Sequence, residues 1–199
     1  MPDVERIGPA RVDAAAATLA AAFLDDPIFV WLNRGRPIKP GPAVTGFRAV
    51  INGELRKQHP ELFVTDGDGS VSIWHGIDDW KGSTIESLRV LPAFTRVFGR
   101  GITRVVKTLT TMEKVHPREP HYHLGYVGTH PDQQGRGLGT AVLRPMLDRC
   151  DAEGVPAYLE NSKPRNEAFY VRHGFVTTGP IPLPAGAPPV MAMWREPRG

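Results

Sequence analysis

The stretch His130-Pro131-Asp132-Gln133-Gln134-Gly135-Arg136-Gly137-Leu138-Gly139-Thr140 joins a run that reads as a strand, Tyr122 to Thr129, to one that reads as a helix, Gly137 to Glu153. Three glycines at alternate positions let the backbone pass close to a ligand without side-chain interference. The helix leaves its first N–H groups without internal partners. Together these features predict a cradle for an anion, most simply a pyrophosphate. The competing reading is a tight strand-to-helix connection. Two familiar phosphate motifs do not fit. Gly139 is followed by Thr140 with no lysine, so there is no P-loop. A Gly-x-Gly-x-x-Gly count from Gly135 ends on Thr140, and one from Gly137 ends on Val142.

Working outward, Pro156 to Glu160 reads as a strand, Asn166 to His173 as a short helix, and Phe175 to Thr178 and Val190 to Trp194 as strands. Pro180, Pro182, Pro184, Pro188 and Pro189 mark the loop between the last two. Strand–helix–strand with a long crossover makes the strands around the loop parallel neighbours. Upstream, a short strand at Val4 to Ile7 leads into a helix from Pro9 to Leu24, with Pro9 suited to its first turn. Asp25-Asp26-Pro27 breaks that helix, and a short aromatic segment, Ile28 to Leu32, follows. Val44, Phe47, Ile51 and Leu55 recur at helical spacing. Leu62 to Thr65 and Val71 to His75 form a hairpin on the turn Asp66-Gly67-Asp68-Gly69. Glu86 to Val115 is helical, broken near Gly99 and Gly101. The sheet is therefore mixed, with antiparallel hairpins at both ends. No linker divides the chain, which reads as one domain over residues 1–199.

Composition narrows the function classes. The 199 residues are 41% hydrophobic and 23% charged, ordinary for a globular chain. Glycine and proline make up about one residue in five, below the roughly 25–30% of low-complexity chains. A net charge of +3 gives no strong electrostatic case for nucleic acid. Arg96, Arg100, Arg104 and Lys107 share a helix face that reads as solvated, with a cofactor phosphate contact as the sharper alternative. Cys150 is the only cysteine, so neither an intrachain disulfide nor a cysteine-based zinc site can form. This fits a reducing, cytoplasmic compartment. Ala14 to Leu24 is too short to span a bilayer and has no basic lead.

Gln134-x-x-Gly137-x-Gly139 resembles the acetyl-CoA signature of the GCN5-related N-acetyltransferase (GNAT) superfamily. Asn166-Glu167-Ala168-Phe169-Tyr170-Val171-Arg172-His173-Gly174-Phe175 resembles that family's Tyr-x-x-x-Gly-Phe block, and the interval between the blocks fits one helix and one strand. Within the superfamily, Leu19 to Phe23 with Pro27, His130 to Leu143, and Gly154 to Phe175 resemble the puromycin N-acetyltransferases. Between Gly35 and Glu119 the resemblance is thin. The resemblance implies an α/β (α+β) fold: a mixed, mostly antiparallel sheet of six to seven strands with a splayed central parallel pair, flanked by helices. It implies an acetyl-CoA-dependent N-acyltransferase; the acceptor does not carry over with the resemblance, and the expectation for it is a primary amine of a small molecule such as an antibiotic or other xenobiotic. The expected partners are acetyl-CoA and that amine, with no metal, no nucleic acid and no membrane, for a monomer or homodimer.

The same resemblance implies that Gln134, Gly135, Arg136, Gly137, Leu138, Gly139 and Thr140 hold the coenzyme pyrophosphate. It implies that Val127, Gly128 and Thr129 pair with the pantetheine arm, which an extended amide chain does by adding to a strand edge. Gly125 and Gly128 suggest a bulge that splays this strand from its parallel neighbour, the alternative being a simple bend. Tyr170 falls where the family places a tyrosine near the thioester sulfur; a phenol can donate a proton or hydrogen bond to a leaving thiolate. Its bland reading is a packing tyrosine with a satisfied hydroxyl.

The amine needs a base. An alkylammonium of pKa about 10.4 is neutral in about one molecule in 2,500 at pH 7, which costs roughly 4–5 kcal/mol. His123 is the candidate, against an ordinary strand histidine, with His121, His130 and Glu160 in reserve. Many family members carry an asparagine about seven residues before the tyrosine. Lys163 stands there, and Asn166 either touches cofactor or caps its helix. A closed apolar pocket, which Trp31, Trp74, Trp80, Phe94 and Phe98 are placed to line, would mark a small-molecule enzyme. An open groove would mark a protein lysine or N-terminal acetylator. A non-catalytic acyl-CoA-binding module would keep Gln134 to Thr140 without needing Tyr170.

Overall fold

The computed structural model describes residues 2–77, 79 and 84–199, with the backbone alone over 84–90. Trp80 lies outside the described residues. In chain order the elements are β1 (Val4–Arg6), α1 (Val12–Phe23), α2 (Pro27–Leu32), α3 (Pro40–Glu54), β2 (Glu61–Thr65), β3 (Ser70–His75), α4 (Thr84–Phe98), α5 (Ile102–Val115), β4 (Tyr122–Thr129), α6 (Leu138–Glu153), β5 (Ala157–Asn161), α7 (Glu167–Arg172), β6 (Val176–Pro180) and β7 (Met191–Arg195). Seven strands form one sheet in the order β1-β2-β3-β4-β5-β7-β6. Every pair is antiparallel except β4 with β5.

Strand alternation separates two cores. Leu62, Val64, Val71 and Ile73 pack against Leu19 of α1 and Phe47 and Ile51 of α3. Phe63, Trp74, Leu124, Leu159 and Met193 pack against Val142, Leu143 and Met146 of α6 with Tyr170 and Phe175. Trp74, expected on the acceptor pocket, is thus a core residue beneath α6, because its strand position points it to the other face.

The segment Ile28 to Leu32, read only as aromatic, is the helix α2. Asp26 starts it: its carboxylate accepts from the N–H groups of Ile28 and Phe29 at 3.0 and 3.3 Å, and Pro27 follows. A cap of this kind contributes about 1 kcal/mol. The α4–α5 break falls where the glycines predict it. A Cβ on Gly101 would lie 2.0 Å from the carbonyl oxygen of Leu32, so the elbow seats directly on the end of α2.

The parallel pair is splayed. β4 and β5 pair only from Tyr122 with Ala157 to Leu124 with Leu159. Against β3, the register jumps from Ile73 with Tyr126 to Trp74 with Leu124, so Gly125 is the bulged residue. A Cβ on Gly125 would sit 2.5 Å from Nε2 of His75, and one on Gly128 would sit 2.8 Å from Cβ of Ala22. Close approach, not a mere bend, accounts for both glycines.

Candidate active site

Beyond Leu124, β4 keeps its β3 partner and loses β5, which frees one strand edge over Val127, Gly128 and Thr129. That edge, the start of α6 and one side of α7 enclose a groove of about 370 Å³. Gly135 and Gly137 take positive φ of 77° and 78°. This turn opens α6, and Leu138, Gly139 and Thr140, whose N–H groups have no partner within the helix, line the groove. The charged residues lining it, Lys163, Arg165 and Arg172, are all basic. Arg172 was not anticipated from the sequence. A backbone cradle of this kind, with Arg172 beside it, fits a diphosphate; Lys163 and Arg165 are already paired with Asp25.

The predicted loop residues divide their work. The Gln134 carboxamide donates to the carbonyl of Thr129 at 3.3 Å, pinning the loop to its own strand. Leu138 is half-buried and turns toward Gly69, so it offers only its N–H. Arg136 is exposed and donates to the carbonyl of Asp132. Thr140 meets Nε2 of His173 at 3.1 Å, while Nδ1 of His173 donates to the carbonyl of Phe169 at 2.7 Å. His173 thus ties the start of α6 to the end of α7, and burial lowers its pKa, favouring the neutral ring. Asn166 precedes α7 but makes no capping bond; it is in αR geometry and lines the groove.

A second cavity of about 430 Å³ adjoins the groove, and Ala22, Val127, Lys163, Asn166 and Tyr170 line both. Its walls include Phe23, Ile28, Phe29, Leu32 and Met112, with His75, His116, His123 and Glu160 among them. Tyr170 stands at the junction. Its ring is 7% exposed in the α6 core. Burial, with Asp26 nearby, pushes its pKa up. Its hydroxyl has no hydrogen-bond partner among the described residues, unlike that of Tyr122, which donates to Glu153 at 2.6 Å. The bland reading of Tyr170 required a satisfied hydroxyl.

His123 lies 2.8 Å through Nε2 from Oε2 of Glu160. Burial opposes the charge on Glu160, but His123 and His116 more than offset it and hold the carboxyl well below the usual range. An ionised carboxylate only accepts, so Nε2 of His123 is the donor in this bond. Its Nδ1 is buried and without a partner. His121, the first reserve, is committed elsewhere. Its Nδ1 donates to the carbonyl of Glu119 at 2.6 Å, so its Nε2 accepts from Nε2 of His116 at 3.0 Å. His130 accepts from the N–H of Asp132 in its own turn. Among the described residues no histidine and carboxylate group is arranged to hold a metal ion.

Two features escaped sequence reading. His75 pairs with Glu54 at 3.3 Å, its ring centroid 5.2 Å from that of His123. Asp25 and Asp26 act as a clamp: Asp25 binds Lys163 and Arg165, and Asp26 accepts from the Ser162 hydroxyl at 2.6 Å. Lys163 fills the expected asparagine position but spends its ammonium on Asp25 and on the carbonyl of Ala22. These partners lie about 140 residues apart in the chain, beyond the reach of local pattern.

Comparison with known proteins agrees with this geometry. The model of the acetyltransferase (GNAT) family matches residues 47–175. An uncharacterized N-acetyltransferase of Schizosaccharomyces pombe is 30% identical over 176 residues, covering 81% of this chain and 69% of that protein. A Corynebacterium glutamicum structure described as histone acetyltransferase HPA2 and related acetyltransferase is 27% identical. It superposes with a TM-score of 0.68 over 100% of this chain and 97% of that one. Arylalkylamine N-acetyltransferase 2 of Aedes aegypti, at 12% identity, shares the fold with a TM-score of 0.61 over 98% and 99% of the two chains. With loop, splayed strands and tyrosine block in place, this chain belongs to the GCN5-related N-acetyltransferase family.

Proposed function

We propose that the chain transfers the acetyl group of acetyl-CoA to the primary amine of a small molecule. The observation that carries this is the unpartnered Tyr170 hydroxyl on the shared boundary of a backbone-lined groove and a cavity that holds both apolar walls and the His123–Glu160 pair. The N–H groups of Leu138, Gly139 and Thr140 would hold the pyrophosphate, and the free edge at Val127 to Thr129 would pair with the pantetheine arm. Acetyl-CoA, when bound, supplies an acyl group activated as a thioester. Nδ1 of His123 takes a proton from the acceptor ammonium, and Glu160 stabilises the imidazolium so formed. The freed lone pair makes the new N–C bond as the C–S bond breaks, and the nitrogen releases its second proton to solvent to leave the neutral amide. Tyr170 faces the sulfur that then gains charge. A phenol raised above its ordinary pKa of about 10 does not readily protonate a thiolate whose conjugate acid ordinarily sits near 8.5. Tyr170 therefore acts as a hydrogen-bond donor to the thiolate, and solvent completes the thiol.

The likeness to the Corynebacterium glutamicum protein supports a second reading, acetylation of a protein lysine. The apolar part of the cavity wall, Phe23, Ile28, Phe29, Leu32 and Met112, favours a small acceptor. A thiol-release screen with acetyl-CoA against small amines, antibiotics, polyamines and lysine peptides separates the two. Turnover confined to the peptides would overturn the small-molecule reading.

A further inference from the structure

The acceptor cavity continues into a dry lobe. Phe29, Leu32, Thr108, Leu109 and Tyr126 line both spaces. The lobe adds Phe47, Phe94 and Phe98 among its walls and holds about 70 Å³ with no polar lining surface. That is a little over two waters' worth at roughly 30 Å³ each, enough for a branched alkyl group or part of a ring. Water gains nothing there, because it would find no hydrogen-bond partners.

One polar group marks the neck. Thr108 is 3% exposed, and its hydroxyl is buried without a partner. A helical threonine ordinarily spends its hydroxyl on the carbonyl four residues back. Thr95 and Thr111 do so here, each at 2.9 Å, to Leu91 and Lys107. Thr108 does not. An orphaned buried hydroxyl is costly unless a ligand satisfies it.

We infer that the acceptor is an amphiphilic primary amine: its amino group lies at His123, its apolar body enters the lobe, and a hydroxyl or carbonyl between them bonds Thr108. This rests on the acetyl-transfer reading and names its substrate class.

The test pairs turnover with direct binding. Thiol release with acetyl-CoA is measured for a compact amine, a branched-alkyl amine, its hydroxylated analogue, spermidine and a lysine peptide. Calorimetry follows binding of the same amines to the free protein. The branched amines should exceed the compact amine and spermidine in kcat/KM by at least about 10-fold, as one or two buried methylenes warrant. Thr108→Val should lower kcat/KM for the hydroxylated amine about 10-fold more than for the branched amine. Its thermal midpoint should stay level or rise, since an unpaired buried hydroxyl is gone. Spermidine or the peptide ranking first would overturn the inference, and so would a Thr108→Val loss equal for both branched amines. If the branched amines bind with this selectivity and none is acetylated, the lobe assignment stands and the transfer reading falls. If they neither bind nor react, both fall.

Discussion

The donor groove and the acceptor cavity share Tyr170 and Asn166, yet they are made of different material. The groove is a backbone site. Positive-φ glycines, the N–H groups that open α6 and a bare edge of β4 supply its recognition. The cavity is a side-chain site. His123 on β4, Glu160 on β5, Phe29 on α2 and Thr108 on α5 converge on it from distant parts of the chain. A backbone site depends on local conformation, so a few glycines encode it. A side-chain site can be rebuilt by substitution without disturbing the fold, so one scaffold can serve many acceptors.

The sharpest way to break this contrast is at the shared residue. Tyr170→Phe keeps the ring and its packing and removes one donor. It should lower kcat by about 10²–10³-fold, the worth of a donor aimed at developing charge. Acetyl-CoA affinity by calorimetry should barely move. A variant with near-native kcat would remove Tyr170 from the chemistry and leave the groove assignment intact.

Within the cavity, His123→Gln should cost about 10²-fold in kcat/KM at neutral pH. The loss should shrink for an acceptor whose own amine is less basic, because less deprotonation is required. An equal loss for both amines would make His123 a packing residue.

Within the groove, Gly137→Val tests the backbone. A Cβ there meets open space, but φ is +78°, and a β-branched residue at such an angle costs about 1–3 kcal/mol. Acetyl-CoA affinity should weaken about 10–100-fold while amine binding holds. Unchanged affinity would show that the loop does not set the anion site.

The smallest effect concerns acid. Burial lowers the pKa of His173 at the end of α7 and of His121 just before β4. The folded state then binds fewer protons than the unfolded one. This contribution is complete above about pH 6.5 and is lost as pH falls through the lower folded values. The thermal midpoint should drop by a few degrees between pH 7.5 and pH 5.5. His173→Gln should show a smaller drop, because one titrating group is gone; an undiminished drop would place the acid sensitivity elsewhere.

Most of the fold was legible. All seven strands and the long helices follow from period, glycine and proline, and β4 begins and ends where the pattern sets it. The main miss was α2, since six residues are too few to show a helical period. The groove was legible because glycine spacing reports backbone conformation directly. His123 could be singled out by residue type and strand position. Its pairing could not, because that depends on Glu160 reaching it from the neighbouring strand. Lys163 illustrates the limit. The sequence shows it replacing an asparagine, and only the packed structure shows its charge spent on Asp25.

The sequence by itself determined the order of elements, the parallel strand pair and the glycine-rich loop between β4 and α6. Each is set by residues near one another in the chain, through backbone sterics and side-chain period. The tertiary structure alone decided which hydroxyls and ring nitrogens are left unpaired at the site. Satisfaction of a buried polar group depends on every element packed around it. Tyr170, His123 and Thr108 are singled out by the neighbours they lack, and those neighbours come from strands and helices far away in the chain.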